Sequence, residues 1–160
     1  MVEMLDAGQR KDNIVITIIG ASGHVGGKVA QELVESGHRV RVLGRDAGAL
    51  DHLVEHGADV RIGDIADTTW LTAAPEGSDA VFAMVPSNPF TGQYSDDQDR
   101  LGESVCAALK NSEVRSVALS SLGADRPDAP GVIGALHLST WRSRLRATSS
   151  CRTRDRKSVV

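Results

Sequence analysis

The sequence is poor in aromatic residues and in cysteine. Five of its 160 residues are aromatic, and Tyr94 is the only tyrosine. The two cysteines, Cys106 and Cys151, offer neither a disulfide framework nor zinc-ligand spacing. No apolar run approaches the ~20 residues needed to cross a bilayer. Residues 1–13 carry Glu3, Asp6, Arg10, Lys11 and Asp12 and lack an apolar signal core. They read as a disordered leader rather than a targeting peptide. These absences place the chain, as an expectation, in a reducing cytoplasm and away from membranes. Lysine is scarce as well, with Lys11, Lys28, Lys110 and Lys157 making the whole set.

What the sequence does hold is concentrated early. Ile14-Val15-Ile16-Thr17-Ile18-Ile19 is an uncharged, β-branched run, the pattern of a strand buried on both faces. It leads into Gly20-Ala21-Ser22-Gly23-His24-Val25-Gly26-Gly27. Behind the glycines, Val25, Val29, Ala30, Leu33 and Val34 recur at helical spacing. Strand, glycine turn and helix in that order make a phosphate cradle. The glycines allow a tight bend and a close approach, and the helix start offers unpaired N–H groups and a positive dipole end. The spacing G-x-x-G-x-x-G differs from the G-x-G-x-x-G of ordinary dehydrogenases.

The remainder alternates strand and helix signals. Gly37 ends the first helix; Val40, Val42 and Leu43 mark a second strand, closed by Gly44-Arg45. Asp46 opens a helix whose apolar side is Leu50, Leu53 and Val54. Val60 and Ile62 mark a third strand ahead of Gly63-Asp64, and Asp67 caps a short helix through Leu71. A fourth strand runs from Ala80 to Val85 and stops at Pro86. Ser95 and Gln98 form a capping-box pattern opening a helix with Leu101, Val105, Ala108 and Leu109 on one face. Val114 to Leu119 is a fifth strand, ending at Ser120-Ser121. Such alternation predicts an α/β fold, a doubly wound parallel sheet of order 3-2-1-4-5. Its ligand would lie outside the C-terminal strand ends, at the switch between strands one and four. Gly20 to Gly26, Arg45, Asp64, Pro86-Ser87 and Ser120-Ser121 all fall at those ends.

The second strand ends in Arg45, where an acid would ordinarily take a ribose 2′-hydroxyl. A guanidinium there suits a 2′-phosphate and favours NADP, with NAD as the alternative. The competing reading is a solvated arginine, with Asp46 on the ribose. Asp64 suits an adenine amino group, or caps its own turn.

The segments GASGHVGG, VLGR, RIGDIAD, VFAMVPSNP and VALSSLGA, followed by GVIGALH, resemble the NmrA-like branch of the atypical short-chain dehydrogenases over roughly residues 14–138. The resemblance implies a Rossmann domain that binds NADP(H), in a family containing reductases of quinones or related small molecules and non-catalytic nucleotide sensors. It implies that Gly20, Ser22, Gly23, His24, Val25 and Gly26 line the pyrophosphate. Arg45 would meet the 2′-phosphate and Asp64 the adenine, with Pro86 and Ser120 near the nicotinamide ribose. The wider superfamily pairs a tyrosine with a lysine four residues on, the lysine lowering the tyrosine pKa. No lysine stands four after Tyr94. His137, near the expected tyrosine position, and Ser121 are the remaining candidates to polarise an acceptor.

Other clusters have plainer readings. His52 and His56 stand four apart and could share a metal, but no third ligand is visible and no metal site is expected. Asp96, Asp97 and Asp99 suit a helix start. Cys106, Met84 and Phe82 suit core positions.

Charge shifts abruptly near residue 138. Residues 1–138 hold 11 Lys/Arg and 20 Asp/Glu, whereas residues 139–160 hold seven Lys/Arg and one Asp. The tail shows no apolar face, and Asp155 to Val160 matches a translated sequencing-adapter frame. The expectation is therefore a truncated gene product, with a frameshift or assembly join near residue 138 and the substrate lobe missing, which leaves an inactive fragment as a further alternative to reductase and sensor. On that reading the basic tail is no evidence for nucleic-acid binding, and the partner is an unidentified small-molecule substrate.

Overall fold

In a computed structural model of the chain, the structure describes residues 14–86, 93–110, 112 and 114–119. The leader at 1–13, Ser87, Ser120, Ser121, His137 and the basic tail all lie outside the described residues.

Five strands, β1 (Val15–Ile19), β2 (Arg39–Gly44), β3 (Asp59–Ile62), β4 (Ala80–Ala83) and β5 (Arg115–Ala118), form one sheet in the order β3-β2-β1-β4-β5. Every pairing is parallel. This is the expected doubly wound arrangement, with the strand order reversing between β1 and β4. The helices are α1 (His24–Glu35), α2 (Asp51–Glu55), α3 (Thr68–Ala73) and α4 (Tyr94–Lys110), with a 3-10 turn at Gly48–Leu50 ahead of α2.

Alternation along β1 feeds two cores, one on each face. Ile19 joins Leu43, Leu71, Val81 and Val105 under α3 and α4. Ile18 joins Val40, Val42, Leu50 and Leu53 under α1 and α2. Both isoleucines are fully buried, each stabilising the fold by roughly 1.5–3 kcal/mol before entropy is counted. Thr17, buried as deeply, meets its polar requirement by sharing a hydrogen bond of 2.6 Å with the Ser78 hydroxyl. The Asp79 carboxylate accepts from the Val15 amide at 2.8 Å, and the Asp79 amide donates to the Val15 carbonyl at 2.9 Å. The start of β1 is thereby pinned beside β4.

Helix ends follow the sequence signals closely. Gly37 has φ +83°; its amide donates to the Val34 carbonyl, and the His38 amide donates to Leu33, closing α1 with a Schellman turn. Gly57 and Ala58 repeat that pattern on α2, bonding Val54 and Leu53. The Asp67 carboxylate caps α3, accepting from the Thr69 and Trp70 amides at 2.9 and 3.1 Å. Arg41 ties β2 to β3 and to the chain leaving α3. Its Nε donates to the Asp59 carboxylate at 2.9 Å, and its Nη1 donates to the Ala74 and Glu76 carbonyls at 3.2 and 2.8 Å.

Several expectations need correction. Val25 and Val54 are about half exposed, so neither belongs to the core face of its helix, and Ile62 is exposed on the edge strand β3. Val25 stands in the first turn, next to Gly26 but turned away from the bend that Gly26 packs on. The fourth strand ends at Ala83 rather than Val85, although Val85 remains buried among the α4 contacts. The expected helix start at Ser95 shifts. α4 already begins at Tyr94, and the Gln98 amide nitrogen instead donates to the Pro86 carbonyl at 2.7 Å. A bond to the end of β4 has replaced a bond within the helix. Asp46 opens a turn rather than the helix proper: its carboxylate accepts from the Gly48 amide at 3.0 Å, and α2 begins at Asp51.

Candidate functional site

The bend from β1 into α1 stands at the point where the strand order reverses. Gly20 has φ +86°, a backbone region that side-chain-bearing residues rarely adopt. A β-carbon there would also stand 2.8 Å from the Met84 carbonyl oxygen and 3.2 Å from the Met84 Cε. Gly26 is buried directly against the bend, and a β-carbon on it would collide with the Gly20 carbonyl. Gly23 differs: it is exposed, its backbone is extended at φ −91°, and a β-carbon would meet nothing nearer than 3.4 Å. Two glycines therefore build the bend, and the third keeps its mouth open.

Helix α1 begins at that mouth with nothing of its own to cap it. Gly23 is the N-cap and supplies no side chain, and no acidic residue stands in the first turn. The first hydrogen bond of the helix runs from the Gly27 amide to the Gly23 carbonyl at 2.8 Å. The Gly23 amide donates to the Gly20 carbonyl at 3.2 Å, while those of His24, Val25 and Gly26 have no helical acceptor and stand at the positive end of the dipole. The contrast within the chain is informative. Asp67 caps α3, and Asp96 and Asp97 occupy the first turn of α4. An anionic group such as a diphosphate fits the α1 terminus, whose charge the protein leaves uncompensated.

The other sequence candidates surround this point unevenly. Ile19 pairs with Leu43 in the β1–β2 register, so Arg45, two residues beyond Leu43, emerges beside the glycine bend. Its side chain is exposed, as are those of Ser22 and His24. Asp64 follows β3, and one of its carboxylate oxygens accepts from the Ala66 amide at 2.9 Å, so it caps its own turn. Asp46 is likewise engaged with Gly48. Pro86 follows β4 and is held by Gln98.

Three residues that the sequence reading gave no part in the site take one here. Met84 lies under both Gly20 and Gly23 and forms the floor of the bend. Its place just past the end of β4, across the switch point, was the available signal. Gln98 fixes Pro86 from the neighbouring helix, and no local pattern announces that. His52, expected on a solvated helix face, faces Gly23 and His24 across an open cavity. The metal reading has no support among the described residues, where no group of three potential ligands gathers. The His56 Nδ1 instead lies 2.6 Å from the His52 carbonyl oxygen.

Two larger cavities, of about 600 and 490 Å³, open elsewhere. Gly77 borders both, and Ser112 and Val114 border the first; these residues precede β4 and β5. They lie toward the opposite ends of the strands, away from the crevice that the fold reserves for ligands. Among the described residues, no helix is long and apolar enough to cross a membrane.

The profile of the NmrA-like family matches residues 12–144. Among solved structures, triphenylmethane reductase from Citrobacter sp. superposes with a TM-score of 0.72 at 20% identity, covering 86% of this chain and 46% of that one. The same enzyme complexed with NADP(H) matches with a TM-score of 0.69. An NADPH-dependent quinone oxidoreductase from Escherichia coli, complexed with NADPH, matches at 0.60 and 23% identity, covering 82% of this chain and 45% of that one. The chain thus spans about half the length of these proteins, and the likeness is one of fold.

Proposed function

The chain belongs to the NmrA-like family, and from that premise we propose that it binds NADP(H) across the C-terminal ends of β1 and β4 as part of a reductase of a small quinone or carbonyl compound. One observation carries the nucleotide reading. The start of α1 has neither a side-chain cap nor an acid, directly behind a bend whose outer glycine is open. A helix end left in that state is built for an anion.

In this reading the amides around Ser22, Gly23, His24, Val25 and Gly26 bind the pyrophosphate, with Gly20 providing the bend. Arg45 takes the 2′-phosphate by charge-assisted hydrogen bonds, which favours NADP over NAD. Asp64 borders the adenine, while Pro86 and Ser120 border the nicotinamide ribose. Bound NADPH would supply a hydride to the acceptor, which takes up a proton as NADP+ is formed. Ser121 or His137 would polarise the acceptor oxygen and hand on that proton. The protein's remaining task is to hold the two reactants together and exclude water. The relatives named above, a triphenylmethane reductase and a quinone oxidoreductase, support a reductase of this class.

One observation favours a second reading, a nucleotide sensor that binds NADP(H) without hydride transfer. The only tyrosine, Tyr94, opens α4, and the residue four places on is Gln98, which is spent on Pro86. The tyrosine–lysine pair of ordinary short-chain dehydrogenases is therefore missing. NADPH oxidation with a panel of quinones, run on the full-length gene product, separates the two. Turnover supports the reductase. Tight NADPH binding without turnover of any acceptor supports the sensor.

A further inference from the structure

Beside the glycine bend lies a cavity of about 260 Å³ between α1 and α2. Ser22, Gly23 and His24 form one wall, Lys28 and Gln31 from α1 another, and His52 from α2 closes the far side. Among the described residues, no carboxylate lines it. Four nitrogen-bearing side chains, His24, Lys28 and Gln31 from α1 and His52 from α2, thus face one opening next to the bend.

We propose that Lys28 and His52 are specificity determinants that hold the 2′-phosphate of NADP(H) in this cavity, from the side opposite Arg45. The inference deepens the nucleotide reading above and rests on it. The placement follows from topology. Arg45 leaves β2 next to the bend, and the chain then turns through Gly48–Leu50 into α2, which carries His52 back toward α1. A phosphomonoester at the adenosine 2′ position would enter with Arg45 on one side and the Lys28–His52 cavity on the other. Nicotinamide coenzymes lacking that phosphate present a hydroxyl there and gain nothing from the added cation.

The surrounding charges support the assignment. The Lys28 ammonium is paired with Glu32 one turn along at 3.0 Å. That contact, a hydrogen bond first and a charge attraction second, raises the lysine pKa above its ordinary value, so the group is fully cationic. Lys28, His24 and His52 are all exposed, so they can reorganise around an incoming anion without disturbing the core. Glu32 then competes with the phosphate for the same ammonium. This gives the proposal a variant of opposite sign, which a merely structural role would not produce.

The test is fluorescence titration of the full chain with NADPH and with NADH, for wild type and for Lys28→Gln, His52→Gln, their double variant and Glu32→Gln. All three substitutions replace exposed side chains with amides, and thermal melts check that the fold is retained. We expect the double variant to weaken NADPH by about tenfold or more, as befits lost charge-assisted contacts, while NADH affinity stays within about twofold. Glu32→Gln should tighten NADPH and leave NADH alone. A wild-type chain that binds neither coenzyme overturns the nucleotide reading itself. Equal wild-type affinity for both, or an NADPH preference that survives intact in the double variant, overturns the assignment of this cavity and leaves dinucleotide binding standing.

Discussion

Gly26 packs so tightly onto Gly20 that a β-carbon on Gly26 would overlap the Gly20 carbonyl group, with the carbonyl carbon only 2.7 Å away and the Ala21 amide nitrogen 3.1 Å away. The first turn of α1 is thus pressed onto the end of β1, and the two must move as one body.

Gly26→Ala should therefore be the most damaging single methyl in this part of the chain. Backbone, rather than a flexible side chain, stands in the way, so relief requires displacing α1 from the sheet. The expected cost is about 2–3 kcal/mol or more. Gly37→Ala is the matched control: φ is +83°, but nothing lies within 4 Å of the new methyl. Only the left-handed backbone penalty applies there, about 1–2 kcal/mol. Urea denaturation of the two variants should rank them in that order.

Asp67→Ala should cost about 0.5–2 kcal/mol, because both amides it caps lose their acceptor at the start of α3. Asp67→Asn should recover most of the loss, since the amide oxygen can accept in the same place. Chemical denaturation of the pair checks this, and equal losses in both would point to charge rather than capping.

Arg45→Gln should weaken NADPH at least tenfold and leave NADH and stability nearly unchanged. The side chain is exposed among the described residues. Titration with both coenzymes, alongside a thermal melt, reads all three quantities. Equal weakening of the two coenzymes would contradict a 2′-phosphate role.

Much of this architecture was legible because local and global signals agree. The β-branched run of β1, the glycines behind it and the Schellman endings at Gly37 and Gly57 each state one element boundary. The alternation of strands and helices then leaves few topologies, and the sheet order follows. What the sequence hid are relationships between elements. Gln98 has the spacing of a capping box but bonds Pro86 across the chain, because a closer acceptor stands at the end of β4. Met84 reads as a sheet residue, yet it lies one place past the strand, beneath the glycine bend. Val25 and Val54 keep the helical period but fall where no neighbouring element arrives to cover them. His52 and His56 share a helix spacing, and the second turns back onto the backbone of the first. Periodicity reports which face a residue occupies on its own element. It cannot report what stands opposite.

Gly23 offers the most direct test of the central claim, that the open bend between β1 and α1 binds the diphosphate of a nicotinamide dinucleotide. Its backbone is extended, and a new β-carbon would meet no described atom nearer than the Met84 Cε at 3.4 Å, so the position accepts a side chain and Gly23→Leu is the variant to test. The added side chain would project into the mouth of the cradle. Calorimetric titration of NADPH into wild type and Gly23→Leu, with melting temperatures measured in parallel, should show binding to the first, none to the second, and matching melts. Equal NADPH affinity in both proteins would contradict the account.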